Sequence, residues 1–160
     1  MKQSQNRRNF LVVVDESPEM KVALTYASLR AKKVDGIVTL LYVMTPIESQ
    51  QWLAVEESMK QEKLDLAHST LERYSAEVIK KSGRKPIIHL REGQVAQELL
   101  QLLEEEISIS VVVLATSTSP ENPGPLVELL SRRMASKLRV PVTLVPGSLS
   151  EAELISLTER

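Results

Sequence analysis

The sequence contains no cysteine, which excludes a disulfide scaffold, thiolate metal ligation and thiol catalysis. Aromatic side chains are scarce, with one Trp, three Tyr and one Phe, too few for a platform on which nucleic-acid bases stack. Neither sign of charge is in excess: 20 Lys and Arg stand against 21 Asp and Glu, a net charge of -1. That balance argues against a protein held on nucleic acid by neutralising phosphates. Long apolar runs are absent too. The run FLVVV after the basic start MKQSQNRRN is too short for a secretory signal, and nothing approaches the roughly 20 apolar residues of a membrane span. These absences lead to the expectation of a cytoplasmic protein with no membrane and no nucleic-acid partner. Glycine occurs five times, at positions 36, 83, 93, 124 and 147, which limits the phosphate-cradling loops the chain can build.

What is present is one domain's worth of sequence: 160 residues, 42% apolar and 26% charged, enough for one sizeable core. Dense apolar runs alternate with helical stripes. Phe10–Val14 reads as a strand buried on both faces. Ser17 and Pro18 then read as an N-cap and first helical residue, with Met20, Leu24, Ala27 and Ala31 as the helix's inner stripe. Asp35 and Gly36 make a turn, and Ile37–Val43 is a second strand. A long helical region after Pro46 carries Leu64, Ala67, Leu71, Tyr74 and Val78 on one face and ends at Gly83. Ile87–Leu90 is a third strand, and His89 within it suits a sheet edge. Gly93 opens a helix with Val95, Leu99, Leu102 and Leu103 inside. Ile109–Ala115 is the densest strand, followed by a polar loop over 116–124. Pro125 starts a helix with the stripe Leu126, Leu130, Met134 and Leu138, and Val140–Val145 is the fifth strand. Strands alternating with helices imply a parallel sheet with helices on both faces, joined by right-handed crossovers.

The chain divides into an N-terminal arm expected to be flexible (1–9), a globular domain (10–146) and a C-terminal extension (147–160). In the extension, Ser150 and Glu153 form a capping box, with Leu149 and Leu154 as its hydrophobic staple. The expected short helix docks through Leu154, Ile155 and Leu157.

Ligands of such sheets sit beyond the carboxyl ends of the strands, so the informative residues follow each strand. There the sequence resembles the universal stress protein family, from about Phe10 to Pro146. FLVVVDESPE resembles the family's first strand, its Asp and the entry to the first helix; LLYVMTP resembles the second strand and its exit. REGQVAQELLQLLEEE, VVVLATST and RVPVTLVP resemble the third strand exit with its helix, the fourth strand with its loop, and the fifth strand. The resemblance implies a three-layer α/β sandwich of the adenine nucleotide alpha hydrolase type, with a five-stranded parallel sheet of order 3-2-1-4-5. It also implies a homodimer paired through the fifth strand, 140–145, whose apolar edge calls for cover; the alternative cover is the C-terminal helix.

Many members of the family bind ATP or AMP through a loop of pattern G-x-x-G-x9-G-[S/T]. Here those positions hold Ala115, Thr118, Glu128 and Leu129, so every glycine and the hydroxyl are missing. Glycine permits positive φ and close approach of backbone N–H groups to phosphate; β-branched Thr118 resists that conformation, and Glu128 brings a negative charge to it. Ser131 matches a hydroxyl that the family often carries in this helix. Asp15 matches the residue that lies against the nucleoside, and Val43 the position whose backbone meets adenine. Thr116, Ser117, Thr118 and Ser119 give four consecutive hydroxyls, and Gly124 with Pro125 opens a helix whose free N–H groups at Leu126 and Val127 accept an anion. The candidate nucleotide or anion cleft therefore comprises Asp15, Ser17, Val43, Thr116, Ser117, Thr118, Gly124 and Ser131. Ordinary loop and capping chemistry accounts equally for the Ser/Thr run and for Asp15.

Other chemistries lack their parts. A phosphoacceptor domain needs an Asp after the third strand and a Lys after the fifth; Arg91 and Pro146 stand there. His68 has Glu72 one turn on but no third ligand. Ser17 sits at a strand-to-helix turn without a histidine at a neighbouring strand end. Glu104–Glu106 reads as a solvated acidic face, and Arg132 and Arg133 as solvent-facing residues or as neighbours of a bound anion. Trp52 and Met59 read as an apolar lid, helix packing or a partner surface. The sequence leads to a non-catalytic homodimeric stress-response or partner-binding module with weak or absent nucleotide binding. The alternative is an AMP or ATP sensor using the loop 116–119 and the helix start near 124–127.

Overall fold

Each dense apolar run becomes a strand, and together they form one parallel sheet of order β3-β2-β1-β4-β5. A computed structural model describes residues 6–46, 53–119 and 121–159; the first five residues of the expected N-terminal arm and Trp52 lie outside them. The strands are β1 (Asn9–Val14), β2 (Ile37–Met44), β3 (Ile87–Glu92), β4 (Val111–Thr116) and β5 (Val142–Pro146). The helices are α1 (Met20–Val34), α2 (Leu53–Ser82), α3 (Val95–Glu105), α4 (Pro125–Arg132) and α5 (Glu151–Thr158).

Alternation along the strands sorts side chains into two cores. Phe10, Val12, Val14, Val38, Leu40 and Val113 face α1 and α2, where Leu24, Ala27, Leu71 and Val78 meet them. Leu11, Val13, Leu41, Val112 and Leu114 face α3 and α4, packing on Leu99, Leu102, Leu103, Val127 and Leu130. The stripes expected for α1, α2 and α3 are thus the buried faces. Each fully buried Leu or Val contributes about 1.5–3 kcal/mol relative to exposure. The amino end of the sheet also holds polar groups. Asn9 is buried, accepts from the Thr39 hydroxyl at 2.7 Å and donates to Ser108 at 3.3 Å, so its amide is not left unpaired.

Several boundaries differ from expectation. Ser17 is not a helix cap, because its N–H and hydroxyl both donate to Asp15 Oδ1, at 2.8 and 2.5 Å; α1 starts only at Met20. At the far end of α1 the left-handed residue is Asp35, with φ 54°, not Gly36. Gly36 is required for space: a Cβ there would sit 2.6 Å from the Arg8 carbonyl oxygen. β3 continues through Arg91 and Glu92, which pair with Val43 and Met44 of β2. β4 and β5 each start two residues late, at Val111 and Val142.

α4 is shorter than its apolar spacing implies. The Leu129 carbonyl accepts N–H groups from both Arg133 and Met134, at 3.0 and 3.2 Å, a closure that ends a helix. Met134 and Leu138 still pack on the second core, but from a turn and a 3-10 segment, Ala135–Lys137.

The capping box of α5 is present: Glu153 N–H donates to Ser150 Oγ, and Ser150 N–H to Glu153 Oε1. α5 rests on α1. It docks through Leu154 and Thr158, both buried, while Ile155 and Leu157 stay 38% and 46% exposed. Residues 154 and 158 share a helix face one turn apart, whereas 155 and 157 point elsewhere.

Leu154→Ala is expected to cost about 2–5 kcal/mol by removing a fully buried side chain, and Ser150→Ala about 1 kcal/mol by uncapping α5. Urea denaturation of the two variants checks the order.

Candidate functional site

Two hollows lie at the carboxyl ends of the strands. The larger is a cleft of about 720 Å³, within the range of small-molecule sites. β1 supplies Val13 and Val14, followed by Asp15 and Glu16; β2 supplies Tyr42, Val43 and Met44, followed by Thr45. Across from them stand the first residues of α3, Gln94 to Gln97, and of α4, Pro125 and Leu126. Leu129, Met134 and, from α2, Lys63 and Leu66 complete the wall. The smaller hollow, about 100 Å³, lies between β1, β4, α1 and the start of α4, where the strand order reverses.

The sequence-selected residues distribute unevenly between them. Asp15 borders both hollows, Val43 the cleft, and Ser17 and Gly124 the small hollow. Thr116, Ser117 and Thr118 border neither. Thr116 Oγ1 accepts from Gly147 N–H at 3.4 Å, after β5, and Ser117 Oγ accepts from Ser119 N–H at 3.2 Å, within its own loop. Ser131 is exposed, donates to the Glu128 carbonyl at 3.2 Å, and borders a separate groove of about 310 Å³ beside β5. Gly124 is the N-cap of α4 with φ 113°, a conformation that glycine adopts without strain.

Other cleft residues escaped the sequence reading. Gln94 and Gln97 stand at the start of α3, directly after Gly93, and that position was a usable signal. Arg91 and Glu92, chosen as strand-exit residues, lie on the sheet edge instead, and Arg91 pairs with Glu105 at 2.5 Å and Glu98 at 3.9 Å. Lys63 and Leu66 reach the cleft from the middle of α2, which no local pattern announces. Met59, the other expected lid residue, stands 40% exposed on α2 and does not line the cleft.

Side chains occupy the place where a phosphate loop would offer backbone. Leu126 and Leu129 line the cleft from α4, and Pro125 at the helix start has no N–H to give. Glu128, in the first turn of α4, pairs with Arg132 at 3.5 Å. Among the described residues Asp15 and Glu16 border the cleft with one cation, Lys63, whose ammonium donates to the Thr45 carbonyl at 3.4 Å. Neither histidine lines it, and among the described residues no three His, Cys, Asp or Glu side chains group to hold a metal. No helix of the described residues is long and apolar enough to cross a membrane. The arrangement is suited to holding a molecule and offers no evident nucleophile–base pair.

A sequence model of the universal stress protein family matches residues 6–146. A comparison with curated proteins finds no match. Among solved structures, the chain is similar to the universal stress protein UspA from Lactobacillus plantarum, with a TM-score of 0.71 and 18% identity over 88% of this chain and 98% of that one. It is similar to a universal stress protein in complex with cAMP, with a TM-score of 0.62 and 13% identity over 88% of this chain and 98% of that one. A universal stress protein family protein from Arabidopsis thaliana with AMP bound has a TM-score of 0.59 and 14% identity, over 87% of this chain and 91% of that one. At these identities the likeness establishes the fold; the strand order of the sheet is the one that the family resemblance implies.

Burial pushes the Tyr42 hydroxyl above its ordinary value, and the Glu16 carboxylate pushes it the same way. A raised folded-state value means that the stability tied to neutral Tyr42 is intact below about 10 and is lost as pH rises through the folded value. Tyr42→Phe is therefore expected to resist alkaline unfolding better than the parent. Glu16→Gln should remove only the smaller part of the shift, because burial is the larger cause. Ultraviolet titration of phenolate, compared across the three proteins, checks both.

Proposed function

The chain belongs to the universal stress protein family, and we propose that it serves there as a non-catalytic, cytoplasmic homodimer that engages a protein partner and holds adenine nucleotides weakly or not at all. The observation that carries this reading is the lining of the cleft by Leu126 and Leu129 at the start of α4, bulky apolar residues where glycine would let a phosphate approach the backbone. Asp15 and Glu16 add negative charge on the same cleft. At about 4 Å, like charges cost on the order of 1 kcal/mol in water and more near a protein surface. The cytoplasmic setting rests on the cysteine-free sequence.

The homodimer reading is supported by the open edge of the sheet. β5 pairs with β4 alone among the described strands, α5 rests on α1, and Leu144 on β5 is 49% exposed. Beside it, Leu130, Leu138, Val140 and Val142 line an apolar groove. A bare apolar edge of this kind is normally covered, and a twofold pairing covers both copies at once.

A second reading, an AMP or ATP sensor, is favoured by Asp15 and Val43 bordering one cleft with the start of α4. AMP and cAMP are bound in two of the similar structures. In that case the contacts come from the strand ends and the helix start, since Thr116–Thr118 do not border the cleft.

Thermal melting with millimolar ATP or AMP, with and without magnesium, separates the two readings. The leading reading expects no shift. Occupancy at 100 times Kd would stabilise by roughly 2.7 kcal/mol, and a shift of that size, abolished by Asp15→Ala, would establish the sensor instead. Sedimentation at micromolar concentration is expected to show a dimer that Leu144→Lys converts to monomer without changing the circular dichroism; a parent protein that sediments as a monomer overturns the pairing.

A further inference from the structure

We propose that the strand-end cleft is a binding site for a small organic cation: an apolar, ring-sized body carrying one ammonium or amidinium group. The inference deepens the reading above, since it rests on the cleft lacking a phosphate end.

Three observations converge on this ligand chemistry. The first is size and surface. The cleft measures about 720 Å³, and Val43, Leu66, Val95, Leu126, Leu129 and Met134 are among the residues that line it. Apolar lining with a few convergent polar groups is the usual make-up of a small-molecule site.

The second is the charge at its border. Asp15 and Glu16 are consecutive residues at the end of β1, both exposed and both on the cleft. Among the described residues neither forms an ion pair. Asp15 spends Oδ1 on Ser17, which leaves its second oxygen for a ligand. Among the described residues Lys63 is the one cation on the cleft, and it is directed at the Thr45 carbonyl.

The third concerns the helix starts, whose positive ends would otherwise favour an anion. Each carries its own carboxylate in its first turn, Glu98 in α3 and Glu128 in α4. The nearby guanidinium groups are also committed elsewhere. Arg91 pairs with Glu98 and Glu105, and Arg132 with Glu128, and neither arginine borders the cleft. Apart from Lys63, the charges of the described residues that border the apolar lining are therefore the two carboxylates that follow β1. A cation meets them directly, while an anion meets repulsion with one lysine to offset it.

A charge series on one apolar body tests the proposal: 1-naphthylmethylammonium, neutral 1-naphthylmethanol and anionic 1-naphthylacetate, titrated into the full chain and followed by calorimetry and amide chemical shifts. The ammonium is expected to bind at least threefold tighter than the alcohol and the acetate weakest, with the largest shifts at Val43, Leu126 and Leu129. Glu16→Gln with Asp15→Asn should bring the ammonium down to the level of the alcohol. Asn keeps an oxygen for Ser17, and Glu16→Gln alone, expected to give a partial loss, serves if the double variant does not fold. Equal binding of the three, preference for the acetate, no binding by any, or shifts confined to another surface would each overturn the proposal. ATP titrated in the same assay keeps the two claims apart: ATP binding would sink the reading of the phosphate end, and the naphthyl series would still report on the carboxylates.

Discussion

All six residues of β1 lie out of water, and a strand buried on both faces needs an apolar layer on each side. That requirement accounts for most of the architecture. One layer is α1 with α2, the other α3 with α4, and their inner faces carry Leu24, Ala27, Leu71, Leu99 and Leu103. With both faces covered, the backbone polar groups of the central strands must find partners inside the sheet or from side chains. Asn9, the first residue of β1, shows the consequence: its backbone N–H donates to Ser110 Oγ at 3.0 Å, and its side-chain amide meets Thr39 and Ser108. The same layering leaves the carboxyl ends of β1 and β2 as a gap between helix starts, so the cleft follows from the way the core is closed.

The elements legible in the sequence were those whose own residues decide their state. β1, β2 and the stripes of α1, α2 and α3 declare themselves because burial imposes a period on the chain. The C-terminal capping box was legible for a similar reason, as all its partners are local. What could not be read depended on competition between neighbours. Ser17 had the composition of a cap, but Asp15 two residues earlier took its N–H and hydroxyl. α4 had the spacing to run to Leu138, but the Leu129 carbonyl accepted two donors and closed the helix. In the site, Asp15 and Val43 follow their strands and were found. Lys63 and Leu66 arrive from the middle of α2, so only the fold places them there.

The glycine shortage has a structural counterpart. A loop with glycine at positions 115, 118 and 128 would present backbone N–H groups to a ligand. This chain puts side chains at each position, and they take separate paths: Ala115 borders the small hollow, Thr118 is exposed and Glu128 pairs with Arg132, while Leu129, at the hydroxyl position, lines the cleft. A side chain at such a position keeps the N–H but resists the positive φ and the close approach that glycine permits. Thr116, Ser117, Thr118 and Ser119 do not line the cleft in compensation. Ser117 is engaged within its own loop and Thr116 by Gly147 beyond β5, so hydroxyl composition near a strand end is weaker evidence of an anion site than the direction those hydroxyls take.

The two edges of the sheet differ in a way that bears on association. β3 ends in Arg91 and Glu92, and Arg91 is tied to α3 through Glu98 and Glu105. Fixed charge along an edge raises the cost of bringing another strand alongside. β5 carries no charge in VTLVP, and its exposed Leu144 continues into the apolar groove of Leu130 and Leu138. Yet β5 is bracketed by Pro141 and Pro146, residues without an N–H to share. The segment able to pair is therefore limited to Val142–Val145. A stretch that short between two prolines permits few registers, and because side chains alternate with period two, a slip by one residue would turn Leu144 away from the groove. The prolines thus restrict pairing along β5 at the same time as they define it.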